Sequence, residues 1–98
     1  MTRRIEFIGN LSLEEDIFEL LEQSGLGRAF TYVQPVHGNG ESGPCFGDAV
    51  WPEENFYLLI FLPERDVELV RTLVSAVRTR HPGVGISCFI SDVSVEQI

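Results

Sequence analysis

The chain has 98 residues, enough for one domain and too few for a second at the usual ~150 residues each. With 44% hydrophobic and 22% charged residues it falls outside the disordered and low-complexity classes. Fifteen acids against seven bases, a formal net charge of −8, exclude the positive field that gathers nucleic acid or an anionic membrane surface.

All seven bases are Arg. The absence of Lys removes Schiff-base chemistry and the phosphate-binding lysine of P-loop proteins. Cys45 and Cys88 are too few for a disulfide framework or a four-cysteine metal set, and free thiols fit a reducing cytosol. The segment from Ile5 to Leu13 is broken by Glu6 and Asn10 and lacks the apolar core of a signal peptide, and no apolar run of about 18 residues occurs. A cytoplasmic protein with no membrane insertion is expected.

Arg4-Ile5-Glu6-Phe7-Ile8 alternates charged and apolar side chains up to Gly9-Asn10, the period of a strand. Ser12 and Glu15 then have the spacing of a capping box, and Leu13, Ile17, Leu20 and Leu21 predict a helix over Ser12 to Ser24 that Gly25 stops. Its outer residues Glu14, Glu15, Asp16, Glu19 and Glu22 read as a solvated acidic face. A β-rich stretch from Arg28 to Val36 follows, and Pro35 ends it or makes it an edge strand. Phe56 to Leu62 is apolar at every position, which predicts a central strand covered on both faces. After Pro63 a helix with the stripe Val70, Leu73, Val74 and Val77 runs to about Arg80. Acids near its start and Arg71, Arg78 and Arg80 toward its end complement the helix dipole. Pro82-Gly83 terminates it before a last strand over Gly85 to Ser91.

The order βαββαβ is the ferredoxin-like pattern, an α+β fold with a four-stranded antiparallel sheet and two helices on one face. The other face would carry apolar side chains of the third and fourth strands, and the economical cover is the sheet of another subunit.

Between the second and third strands lies a connection, residues 37–55, far longer than the 2–5 residues of an ordinary hairpin loop. Gly38, Gly40, Gly43 and Gly47 stand there with Phe46, Trp51 and several acids, and without any base. Glycines let backbone N–H groups approach an anion, but the positive charge would have to come from elsewhere, such as an Arg of a neighbouring subunit. Trp51-Pro52 can pack the root of the loop on the sheet or offer a ring for a ligand to stack on. His37 and Cys45 carry nitrogen and sulfur suited to a soft or borderline cation, joined by Asp48 or by His81 and Cys88, although no zinc-finger spacing occurs. Cys45 has no local base except His37 and no residue evidently placed to orient one, so the chain is read as non-enzymatic. A metallochaperone's Cys-x-x-Cys after the first strand, the basic surface of an RNA-binding domain and the N-terminal Arg loop of an acylphosphatase are all missing.

Tyr32 followed by His37-Gly38-x-Gly40-x-Ser42-Gly43-Pro44-x-x-Gly47-Asp48-x-x-Trp51-Pro52-x-x-Asn55, in a βαββαβ frame with an acidic first helix, resembles the PII-like superfamily of small signalling proteins. The similarity is to a divergent short branch, some members of which are associated with heavy-metal efflux. It implies a homotrimer with its sheets facing inward and a loop, residues 37–55, that answers to a small ligand or engages a membrane transporter or other protein. A ligand would sit at a subunit boundary among Gly38, Gly40, Gly43, Gly47, Asp48 and Trp51, with the turn at Gly83 and Gly85 beside it and Arg78 or Arg80 supplying positive charge. The resemblance leaves the effector open between a nucleotide and a divalent or soft metal ion at His37 and Cys45. The lysine-containing Gly-rich loop of nucleotide-binding members is replaced here by His81-Pro82-Gly83-Val84-Gly85. A CutA-like metal-tolerance protein is the nearest alternative of the same architecture.

Overall fold

Strand β1 (Thr2–Asn10) buries Ile5 and Phe7 completely and turns Arg4, Glu6 and Ile8 to the opposite side, as the two-residue period requires. The computed structural model describes residues 1–41 and 43–96, so Ser42 of the loop motif lies outside the described residues. After β1 the chain tightens into a 3-10 turn (Leu11–Leu13) and continues as α1 (Glu14–Ser24). Asn10 makes this entry: its side-chain oxygen accepts the Ser12 N–H at 3.0 Å. The Ser12–Glu15 capping box does not form, because the 3-10 turn moves the start of the helix to Glu14 and makes Leu13, which has no side-chain acceptor, the cap. Gly25 ends the helix as expected, at φ 77°, where a β-carbon would be strained.

The second strand, β2 (Thr31–Val36), begins three residues later than the composition suggested. It is an edge strand, and its pairing register shifts between Val33 and Val36, around the residue that has no N–H to donate. The connection after it holds a small antiparallel hairpin, β3 (Gly38–Gly40) with β4 (Gly43–Cys45), which nothing in the residue pattern foretold. Strand β5 (Asn55–Pro63) is central, flanked by β2 and β1. A second 3-10 turn (Glu64–Asp66) leads into α2 (Val67–Arg80), and β6 (Ile86–Val93) completes the sheet.

The sheet order is β2-β5-β1-β6, and every recorded pairing is antiparallel, so α1 and α2 each connect two strands separated by a third. This is the expected α+β, ferredoxin-like arrangement. One core joins Ile5, Phe7, Phe56, Leu58 and Ile60 of the sheet to Ile17 and Leu21 of α1 and to Val70, Leu73, Val74 and Val77 of α2. Within the single chain β5 is covered on this side alone: Phe56, Leu58 and Ile60 are at most 1% exposed, whereas Phe61 is 55% exposed.

Candidate functional site

The root of the long loop is held by a set of polar contacts. Glu54, just before β5, meets His37 Nε2 at 2.9 Å, and Gly47 lies against both groups. A β-carbon on Gly47 would fall 2.6 Å from the Glu54 carboxylate and 2.9 Å from the imidazole, at a backbone φ of 64°. Only glycine fits there without displacing the clasp. The Gly47 N–H donates to the Glu53 carbonyl at 3.0 Å and the Asp48 N–H to that of Trp51 at 3.0 Å. Asp48 Oδ1 in turn accepts the N–H groups of Val50 and Trp51 at 3.0 and 2.6 Å. One carboxylate oxygen of Asp48 therefore folds this segment. Trp51 is fixed through its backbone while the residue stays 45% exposed, which separates the two roles the sequence allowed it: the chain is anchored and the ring remains accessible.

The hairpin tip and the turn between α2 and β6 face each other across a cleft of about 590 Å³, lined by Gly40, Gly43, Cys45, Gly83, Gly85 and Ser87 among others. Of the predicted ligand residues this brings Gly40, Gly43, Gly83 and Gly85 together in one chain, with Cys45 beside them. Gly38 lines an adjoining hollow with His37, and Gly47, Asp48 and Trp51 belong to the loop root. Asn55, the last residue of the loop motif, also borders the cleft, as does Ile8, which no motif singled out because only the strand pairing places it there.

Arg78 and Arg80 lie elsewhere in the same chain. Arg78 Nη2 donates to the Ile86 carbonyl at 3.2 Å, which turns its guanidinium toward β6. Arg80 approaches Asp16 of α1 at 4.0 Å, beside the pair that His81 Nε2 makes with the same carboxylate. Neither arginine lines the cleft. As for a cation site, His37 is held by Glu54, and Cys45 is buried with its thiol 4.0 Å from the Gly43 carbonyl. Among the described residues no group of three His, Cys, Asp or Glu side chains is placed to hold a metal ion.

On the sheet face away from the helices, cross-strand register sets Val33, Tyr57 and Ile8 in one row and Leu59, Glu6 and Phe89 in the next. Ile8, Val33, Phe61 and Phe89 are all exposed there. Glu6 is the charge at the centre: it accepts the Tyr57 hydroxyl at 2.7 Å and pairs with Arg4 at 3.2 Å. That hydrogen bond to a carboxylate pushes the Tyr57 phenol above its ordinary pKa, with partial desolvation adding to the effect.

No family model and no curated protein matches the sequence. Solved structures do. CPII from Thiomonas intermedia K12, a nitrogen regulatory PII-like protein bound to ADP, AMP and bicarbonate, superposes with a TM-score of 0.73 at 21% identity, over 98% of this chain and 89% of that one. A DUF3240 family protein from Shewanella baltica gives 0.72 at 14% identity, covering 99% and 94%. A candidate PII-like signalling protein from Thermus thermophilus gives 0.62 at 15% identity, covering 94% and 86%. These likenesses span nearly the whole chain and agree with the strand order and helix placement described above: the protein has the PII-like fold.

Proposed function

We propose that the protein is a non-enzymatic regulator of PII type, assembled as a homotrimer through the open sheet face, in which a small anionic ligand in the cleft between the β3–β4 hairpin and the α2–β6 turn sets the posture of residues 37–55 toward a protein partner, such as a membrane transporter. The observation that carries this reading is the cleft itself. It joins a loop, whose conformation a ligand can change, to a fixed turn of the sheet. Its glycines leave backbone N–H groups approachable by an anion, and its one charged lining residue, Glu41, is an acid whose charge a second subunit has to offset. The exposed apolar side chains on the open face support assembly, since a patch of that kind is costly to leave in water. The ADP, AMP and bicarbonate bound by CPII, whose fold this chain shares, support a nucleotide or a small oxyanion as the ligand class. Positive charge comes from Arg78 or Arg80 of the adjacent subunit, because none of the cleft's own lining residues is basic.

Calorimetry with ADP, AMP and bicarbonate, set beside Cu(I), Zn(II) and Co(II), tests the assignment. An anion should bind with strong salt dependence, and Arg78→Ala with Arg80→Ala should weaken it at least tenfold. Tight binding of a cation that depends on His37 and Cys45, with no anion bound, would replace this reading by a metal-responsive one.

A further inference from the structure

A second groove, about 530 Å³, runs between α2 and β6 on the helix side of the sheet, away from the cleft described above. Its floor is apolar, formed by Val70 and Val74 of the helix and Cys88 and Ile90 of the strand, and Arg71 and Arg78 stand on it. The strand beneath is an edge: among the described residues β6 pairs with β1 on one side only. Two hydrogen bonds fix which of its backbone groups face outward. The Gly85 carbonyl accepts the Asn10 N–H at 2.9 Å and so points inward, whereas the Ile86 carbonyl receives Arg78 instead. Alternation along an antiparallel strand then turns the N–H and C=O of Cys88 and Ile90 outward. These are the residues whose side chains form the groove floor.

An edge strand with outward backbone groups, a helix alongside and an apolar trough between them is the geometry in which an added strand is held by main-chain bonds and read by alternate side chains. From Val70 to Thr79 the helix lining extends about 14 Å at ~1.5 Å per residue, the length of about four extended residues at ~3.3 Å each. The charge is selective. On a chain of net charge −8 this trough carries two of the seven arginines. Among the described residues Arg71 is tied only to the exposed Glu68, a surface pair that a competing carboxylate can displace. Arg78 spends one amino group on the Ile86 carbonyl, leaving its other donors free for a carboxylate.

We propose that the α2–β6 groove binds a short acidic segment of a partner protein in extended conformation, as a fifth strand beside β6, with an apolar side chain on Val74 and Ile90 and a carboxylate at Arg71 and Arg78. The groove shares Arg78 with the proposed ligand site, and Arg71 separates the two, since it plays no part in that site.

The probe is a fluorescein-labelled, C-terminally amidated seven-residue peptide alternating valine with glutamate, compared by fluorescence anisotropy with its lysine counterpart. The acidic peptide should bind at least tenfold more tightly. Arg71→Ala should weaken it several-fold and Arg71→Lys should restore much of the loss, while the response to ADP stays unchanged. Amide exchange at Cys88 and Ile90 should slow in the complex. Equal binding of the lysine peptide, protection of Thr31–Val36 in place of β6, or an absence of binding at millimolar peptide would overturn the proposal. So would protection of Cys88 and Ile90 in the free protein that disappears on dilution, which would mean that a second copy of the chain already covers this edge. Hexanoate displacing the peptide stoichiometrically without slowing exchange at β6 would assign the groove to small amphiphilic acids instead.

Discussion

Single side chains in this protein take their roles from neighbours distant in sequence. Glu54 is one more acid in an acidic loop until the fold sets it against His37, seventeen residues away, and leaves room between them for Gly47 alone. Cys88 is a second case. Burial beneath α2 pushes its thiol above the ordinary range, while the nearby Arg78 guanidinium pulls the other way. A raised value means that the folded state holds the thiol proton more tightly than the unfolded chain does. The stability this contributes is complete below the ordinary thiol pKa of about 8.5 and is lost as pH rises through the folded value. In a Cys45→Ala background the pH profile of iodoacetamide labelling should therefore have its midpoint above that of a free thiol. Arg78→Ala should move the midpoint higher still, and a downward move would show that the guanidinium does not act on this sulfur.

Secondary-structure elements here end where a backbone group finds an unexpected partner. The 3-10 turn at Leu11–Leu13 exists because Asn10 captures the Ser12 N–H, and the same side chain donates to Glu53 at 2.8 Å, tying the start of α1 to the end of the long loop. Asn10→Ala should cost about 1–2 kcal/mol of unfolding free energy in urea, in the range of a lost helix cap. Ser12→Ala should stay within about 0.5 kcal/mol, as for an exposed residue with no structural bond from its side chain. Equal losses for the two would restore the capping box. A comparable local contest shapes β2, where Pro35 interrupts the ladder and the strand survives only at the sheet edge.

At the scale of the whole molecule, the two faces of one strand divide folding from the proposed assembly. Phe56 is fully buried under the helices, whereas its neighbour Tyr57 points to the open face and bonds Glu6. Phe56→Glu should abolish cooperative unfolding by circular dichroism, since it places a carboxylate in the core. Tyr57→Glu sets a second carboxylate beside Glu6 and should leave the fold intact while sedimentation shows the oligomer falling to monomer. A stable monomer of the unsubstituted protein at micromolar concentration would remove the homotrimer. The compactness of the monomer rests on the same division: on the helix side the packed side chains come from both helices and from the sheet.

Periodicity alone was enough to read the strand and helix order, the central position of β5, the stop at Gly25 and the buried stripe of α2. Each of these is written in nearest-neighbour spacing, the alternation of apolar positions and the special backbone freedom of glycine. Of the residues grouped in the sequence as a ligand site, Gly40, Gly43, Gly83 and Gly85 lie around one cleft, whereas Gly38, Gly47, Asp48, Trp51, Arg78 and Arg80 do not line it. The β3–β4 hairpin was not legible, because its strands are only three residues long and contain glycine and proline in place of β-formers. Nor was the position of Arg78 and Arg80. Arg78, Arg80 and His81, close together at the end of α2, diverge by the helical twist, so the first reaches β6 and the other two reach Asp16 of α1. Direction around a helix is a local property, but what lies in that direction is settled only when the sheet and the second helix have packed.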